Sequence, residues 1–498
     1  MKYISTRGGT PEGVSAAQAI KQGLAGDGGL FMPESLPVLS TQMLQSLCDK
    51  TYAQRAAQIL GMYLTDYTEG ELLADCTAAY EESRFPGGAA PLAPLSDGKR
   101  ILLELWHGPT CAFKDMALQI MPKLLSRALK KTGEHRTALI LVATSGDTGK
   151  AALEGYRDVD GVKIAVFYPA HGVSRVQKLQ MATQEGNNVF VQSIHGNFDD
   201  AQSGVKRIFS DPDVAKRLDE NQVFLSSANS INWGRLVPQI VYYISAYCDL
   251  VKNGTIRMGE RIHVCVPTGN FGNIFAAYLA KRMGLPIDRL LCASNKNHIL
   301  TDFLRTGVYD RNRAFYTTMS PSMDILISSN LERLLYVTFG TEKTAAWMKS
   351  LQKTGSYELG QAELAVLQKE FSGYFCEEEQ TASTIREVYA DSHYLCDPHT
   401  AVGVGAAKQY LDQTQDSTPI LIASTASPYK FAYDVCKAIG TPLPENDLAA
   451  LHVLHDVTGT PIPAPLADIE RRTVRFEPEA AVEAADMLQS VSGYFGIR

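Results

Sequence analysis

The chain has 498 residues, 45% hydrophobic and 20% charged, with a formal net charge of −7. This composition supports a large buried core and excludes a disordered chain, and the length suggests about two to four structural domains. The acidic balance excludes a dedicated nucleic-acid binder, which carries a basic face. No apolar run approaches the ~18 residues needed to span a bilayer, and the opening residues show no apolar signal region. A soluble cytoplasmic protein is expected, with neither a membrane nor a nucleic acid as partner. The nine cysteines are scattered without a Cys-x-x-Cys pair and read as free thiols in a reducing compartment.

Residues 1–95 form a first region. A glycine-punctuated turn at 23–33 precedes helical patterns at 53–63 and 71–80, and 85–94 reads as a linker. Beyond it, short apolar runs alternate with helix-period segments. Strands are expected at 101–105, 139–143, 163–168, 188–194, 223–226, 261–267, 289–294 and 419–424. A helix carries the stripe Met116, Ile120, Met121, Leu124, Leu125 and Ala128, with Asp115 as its cap and a kink or late start at Pro122. Further helices are expected at 175–183, 233–250 and 274–283. This α/β alternation predicts open, mostly parallel sheets flanked by helices on both faces. The expected division is an N-terminal region at 1–95, a smaller α/β domain at 96–230 and a larger one at 231–498. Residues 300–400 carry no clear pattern, and Glu377, Glu378 and Glu379 read as a solvated face.

Four segments carry candidate chemistry. Residues 107–115 read His-Gly-Pro-Thr-Cys-Ala-Phe-Lys-Asp. Lys114 there follows apolar residues and precedes an apolar helix. Desolvation favours the neutral amine, the form that attacks a carbonyl. The segment Ala143-Thr-Ser-Gly-Asp-Thr-Gly149 is rich in N–H and O–H donors suited to an anionic substrate. The loop Pro267-Thr-Gly-Asn-Phe-Gly-Asn273 leaves a strand and opens a helix, whose unpaired N–H groups and dipole could cradle one phosphate. It matches neither the dinucleotide nor the P-loop spacing. The run Ser424-Thr-Ala-Ser-Pro428 ends an apolar strand, where a hydroxyl could meet a ring nitrogen. His452 and His455 lack an evident third ligand, so no metal is expected. Met116, Met121, Tyr242, Tyr243 and Tyr247 read as packing residues.

A phosphate cradle, an imine-forming lysine and a hydroxyl at a third strand end together fit pyridoxal phosphate. The sequence resembles the threonine synthase family, in its longer bacterial and fungal form, within the fold-type II pyridoxal-phosphate enzymes. The resemblance spans nearly the whole chain. It includes Tyr3-Ile-Ser-Thr-Arg-Gly8, Gly23-Leu-Ala25 with Asp27-Gly-Gly-Leu30, and His107-Gly-Pro-Thr110 with Phe113-Lys-Asp115. It continues through Thr144-Ser-Gly-Asp-Thr-Gly149, Asn229-Ser-Ile-Asn-Trp-Gly-Arg235, the 267–273 loop, and Ser424-Thr-Ala426 with Pro428. Ser427 stands where the family often has histidine.

The resemblance implies pyridoxal 5'-phosphate as cofactor and O-phospho-L-homoserine as substrate, converted with water to L-threonine and phosphate. Lys114 would hold the cofactor as an imine and move protons. Gly269, Asn270, Phe271, Gly272 and Asn273 would bind the cofactor phosphate. Thr425 would face the ring nitrogen as a neutral partner that moderates the electron sink. Asp147 would sit beside the ring 3′-oxygen, where a proton must be shared unless its carboxylate points elsewhere. Ser145, Thr148, Thr110, Asn232, Arg235 and Lys178 are the candidate substrate residues. A phospho-lyase, a serine/threonine dehydratase or a catalytically silent binding homologue are the alternatives. A monomer or homodimer is expected.

Overall fold

The computed structural model describes residues 1–171 and 173–497. In chain order its strands begin with β1 (Tyr3–Ser5), β2 (Phe31–Pro33), β3 (Leu92–Pro94), β4 (Arg100–Glu104) and β5 (Thr137–Ala143). Next come β6 (Val162–Pro169), β7 (Val189–Ile194), β8 (Val223–Ser226), β9 (Ile262–Pro267) and β10 (Ile287–Ser294). The last are β11 (Val308–Asp310), β12 (Ser356–Glu358), β13 (Phe371–Phe375) and β14 (Ile420–Ser424). A six-stranded sheet runs β13-β10-β9-β14-β4-β3, parallel throughout except for β3 against β4. A four-stranded sheet runs β7-β6-β5-β8 and is wholly parallel. The central strands are buried on both faces; every residue of β9 and β14 is buried. This follows from their near-continuous apolar sequence, since helices cover both sides of such sheets. No helix among the described residues is long and apolar enough to cross a membrane.

Several expectations change in detail. The 85–94 linker contains β3, an edge strand paired antiparallel with β4. Strand β4, expected in the smaller domain, belongs to the larger sheet, paired with β14 from Arg100↔Ile420 to Glu104↔Ser424. The expected division at 230/231 therefore does not separate the two sheets. The helix expected at 233–250 is broken into Trp233–Leu236 and Pro238–Lys252, because a proline without N–H suits a first helical turn and not an interior. The segment after Lys114 likewise forms Asp115–Leu118 and then Met121–Lys131, a late start at Pro122 as read from sequence. Asp115 is not the cap; Lys114 occupies that position. Residues 300–400 are well structured, with helices Leu331–Phe339, Thr341–Thr354, Gln361–Glu370 and Glu378–Ser392 around β11–β13. Glu377 caps the last of these in a capping box with Gln380, and Glu378 accepts from the Met319 N–H, so this run is partly spent on local structure.

The N-terminal region is bonded into the body of the fold. Arg7 forks onto Glu332 at 2.8 and 2.7 Å, and Thr6 Oγ1 donates to the same carboxylate at 2.6 Å. The buried Arg333 spends its guanidinium on the carbonyls of Phe31, Ser230 and Ile231 and on Asn330. Arg55 bridges Leu47 and Cys48 to Ser245 and Asp249. All nine cysteines are free and buried.

Helix Asp147–Tyr156 packs against Asp115–Leu118 so closely that a Cβ on Gly155 would lie 1.9 Å from the Leu118 carbonyl oxygen. Backbone cannot yield as a side chain can. Gly155→Ala should therefore destabilise the fold by about 1–3 kcal/mol, seen as a lower urea midpoint with an unchanged m-value. An unchanged midpoint would show that the two helices are not held in this contact.

Candidate functional site

The site forms at the carboxyl ends of strands from both sheets, where open α/β sheets bind ligands. Lys114 follows β4, the Thr144–Gly149 turn follows β5, the glycine loop follows β9, and Thr425 follows β14. Backbone bonds join two of these segments: Phe113 N–H donates to Thr425 O at 2.8 Å, and Ser427 N–H to Cys111 O at 3.0 Å. Lys114 is thereby fixed beside the end of β14.

Lys114 is 8% exposed. Its Nζ donates to Ser322 Oγ at 3.0 Å and meets Asp147 Oδ2 at 3.5 Å. Burial pushes its amine below the ordinary lysine range, opposed by Asp147 and assisted by Arg235 and Lys430. Asp147 is buried, and Oδ1 is held by Lys430 Nζ at 2.7 Å and Gln177 Nε2 at 2.8 Å. Burial alone would raise the carboxyl, but Lys430 and Lys114 overcome it and hold it well below the usual carboxylate range. Two lysine side chains therefore face this carboxylate, Lys430 at 2.7 Å and Lys114 at 3.5 Å. Asp115, by contrast, is pushed up by burial to about 6 while accepting from Thr110 N–H and Oγ1.

The turn after β5 is set by Thr144 Oγ1, which accepts from the N–H groups of Gly146 and Gly149 at 3.0 and 2.9 Å. Gly146 sits at φ +140, and a Cβ there would lie 2.5 Å from Gln177 Nε2. Among the described residues nothing accepts from the N–H groups of Ser145, Asp147 or Thr148. Arg235 is 6% exposed; it donates to Ala228 O at 2.9 Å and to Thr148 Oγ1 at 3.3 Å. No carboxylate among the described residues pairs with it, and burial lowers it to about 10. Ser145, Thr148 and Arg235 therefore gather as one donor cluster.

Of the other three substrate candidates, Thr110 and Asn232 give their side-chain hydrogens to the protein, and Lys178 gives one of its three. Thr110 gives its hydroxyl to Asp115. Asn232 Nδ2 donates to Ile20 O and Ser227 O while its Oδ1 caps Gly234, so both amide hydrogens are used. Lys178 donates to Ala170 O.

A second donor cluster lies after β9. Phe271 adopts φ +62, an uncommon conformation for a non-glycine residue, as the cap of helix Gly272–Met283. No described residue accepts from the N–H groups of Asn270, Phe271, Gly272 or Asn273. A Cβ on Gly269 would lie 2.5 Å from Ser322 O. The Tyr242 and Tyr243 hydroxyls both donate to Asn273 Oδ1, which leaves the buried Asn273 Nδ2 without a partner. Unpaired buried donors at a helix start are what a phosphate would satisfy. The Thr425 hydroxyl makes no hydrogen bond to a described residue. The chemistry of this set, unpaired phosphate-binding donors at 270–273 and a buried amine at Lys114, fits a phosphorylated pyridine aldehyde.

Sequence reasoning missed Ser322, Lys430, Gln177 and the pair His399–Asp397. His399 Nε2 accepts from Ser322 N–H at 3.1 Å while Nδ1 meets Asp397 Oδ2 at 2.7 Å. Lys430 stands two residues after Pro428 of a motif already singled out, the one signal that pointed its way. The described residues hold no group of three potential metal ligands.

Three family models match: the threonine synthase N terminus over residues 2–80, the pyridoxal-phosphate dependent enzymes over 87–425, and the threonine synthase C-terminal region over 400–487. Threonine synthase-like 1 of Homo sapiens is 41% identical over 97% of this chain, which spans 67% of that protein. Threonine synthase of Pseudomonas aeruginosa is 40% identical, covering 88% of this chain and 90% of its own. The yeast threonine synthase structure superposes with TM-score 0.88 at 32% identity over 100% of this chain and 99% of that one. The pyridoxal-phosphate-bound structure from Brucella melitensis gives 0.86 at 36% over 99% of both. The chain belongs to the threonine synthase family of pyridoxal-phosphate-dependent enzymes.

Proposed function

We propose that this protein converts O-phospho-L-homoserine and water to L-threonine and phosphate. The observation that carries this reading is the donor cluster around Arg235. Arg235 is a buried cation without a carboxylate partner among the described residues, beside the free N–H groups of Ser145, Asp147 and Thr148. A buried unpaired charge is costly unless a ligand compensates it. With the 270–273 donors occupied by the cofactor phosphate, this cluster remains for a substrate that itself carries two anionic groups.

Bound pyridoxal phosphate supplies an electron sink for carbanions on the substrate carbons. The chain's own residues do the rest. The turn amides of Ser145, Asp147 and Thr148 bind the substrate carboxylate, and Arg235 takes the substrate phosphate with charge-assisted hydrogen bonds. The Lys114 amine, which lies between Asp147 and Ser322, would remove and return protons at adjacent substrate carbons. Thr425 offers the ring nitrogen a neutral hydroxyl. Burial of Lys114 and Asp147 keeps bulk water from these steps.

Full-length protein supplied with pyridoxal phosphate should form threonine and phosphate from O-phosphohomoserine in equal amounts. Phosphate release without threonine, or preference for O-phosphoserine, would replace this reading with a phospho-lyase. No turnover of either would favour a binding homologue.

Lys114→Ala should lower kcat by about 10²–10⁴ or more, the range typical of a lost acid–base group. Near-normal turnover would remove Lys114 from the chemistry.

Arg235→Ala should raise KM for O-phosphohomoserine by roughly tenfold to a hundredfold, as expected for losing about 1.5–3 kcal/mol of charged hydrogen bonding. Unchanged kinetic constants would take Arg235 out of the site.

A further inference from the structure

Lys430 is 1% exposed, and its Nζ is 2.7 Å from Asp147 Oδ1 and 2.9 Å from Thr110 O. Charge-assisted N–H···O bonds are normally about 2.7–2.9 Å long. Asp147 Oδ1 thus forms its close ion pair with Lys430, at 2.7 Å, while Lys114 keeps only a long hydrogen bond, 3.5 Å, to the other oxygen. The shorter contact of Lys114, at 3.0 Å, is to the neutral Ser322 hydroxyl. Gln177 adds a donor to Oδ1 and strengthens the same bias.

The charges facing Lys114 come from three elements. Asp147 belongs to helix Asp147–Tyr156, Arg235 to Trp233–Leu236, and Lys430 to the turn Pro428–Phe431. On its own helix, Asp115 is engaged by Thr110 and Gln119. The turn carrying Ser322 presents a hydroxyl and is anchored by His399 and Asp397. Two cations and one carboxylate therefore surround the amine. Burial, Arg235 and Lys430 disfavour its protonated form, and Asp147 favours it.

We propose that Lys430 is a positioning residue that draws the Asp147 carboxylate away from Lys114 and so keeps the Lys114 amine free to add to a carbonyl. This rests on the reading of Lys114 as the cofactor lysine. In the step concerned, the nitrogen lone pair adds to the aldehyde carbon, and the carbonyl oxygen leaves as water with both amine hydrogens. A protonated amine has no lone pair to begin it. Without Lys430, Asp147 turns to Lys114, the ammonium form is stabilised, and a higher pH is needed for the same rate.

The test is the pH dependence of pyridoxal phosphate capture by the full-length protein stripped of cofactor, with borohydride reduction and peptide mapping to locate the adduct. Lys430→Met should raise the pH midpoint of capture at Lys114 by about one unit, so that capture below the midpoint slows about tenfold. Lys430→Arg should keep the parent midpoint. Asp147→Asn should lower it, since Lys430 and Arg235 then act unopposed. The double variant Asp147→Asn/Lys430→Met, which leaves no unpaired carboxylate, should return towards the parent. An unchanged midpoint in Lys430→Met, or no fall in Asp147→Asn, overturns the proposal. An adduct at a lysine other than Lys114 in the parent protein overturns the reading of Lys114 itself.

Discussion

The site depends on one buried carboxylate. Asp147 comes from the helix after β5 of the smaller sheet, whereas Lys114 and Lys430 follow β4 and β14 of the larger one. An ionised carboxylate taken out of water is tolerated only with partners of opposite charge and filled hydrogen bonds. Asp147 finds them across the joint between the sheets. The same contacts therefore cross the joint between the sheets and set how much negative charge the Lys114 amine experiences.

Around that charge the chain keeps two groups of backbone N–H donors apart. One opens helix Asp147–Tyr156 and the other opens helix Gly272–Met283. Each is prepared by side chains that bind nothing themselves. Thr144 shapes the first turn with its hydroxyl, while Tyr242 and Tyr243 orient Asn273 at the second. Both donor groups are held by hydrogen bonds within the protein, and donors so fixed lower the ordering cost of binding. The contrast between Arg333 and Arg235 is instructive. Both are buried, but Arg333 is saturated by carbonyls and ties the N-terminal region down, whereas Arg235 retains donors facing the first turn.

Much of the architecture was legible because parallel strands buried on both faces are short apolar runs between helix-period segments. Strand β9 and the helix after it are examples. Failures occurred where pairing or turn chemistry overrode local pattern. The residues of β3 read as a linker because a three-residue edge strand has no room for periodicity, and β4 was assigned to the neighbouring sheet because order along the chain does not reveal which strand it will join. Asn232 read as a substrate donor because the type of a polar residue does not show which backbone groups will claim it.

The sequence by itself marked the candidate reactive groups: one lysine after an apolar run, two glycine-bearing loops at strand ends, and a hydroxyl at a third. These are local properties, set by residue type and by the conformations glycine permits. Only the tertiary structure decided the electrostatics. Lys430, Asp147, Gln177 and Ser322 lie far apart along the chain and act on Lys114 because four separate turns converge there. The balance of charge at a buried atom depends on distances through a low-dielectric interior, and those distances exist only after the sheets have packed.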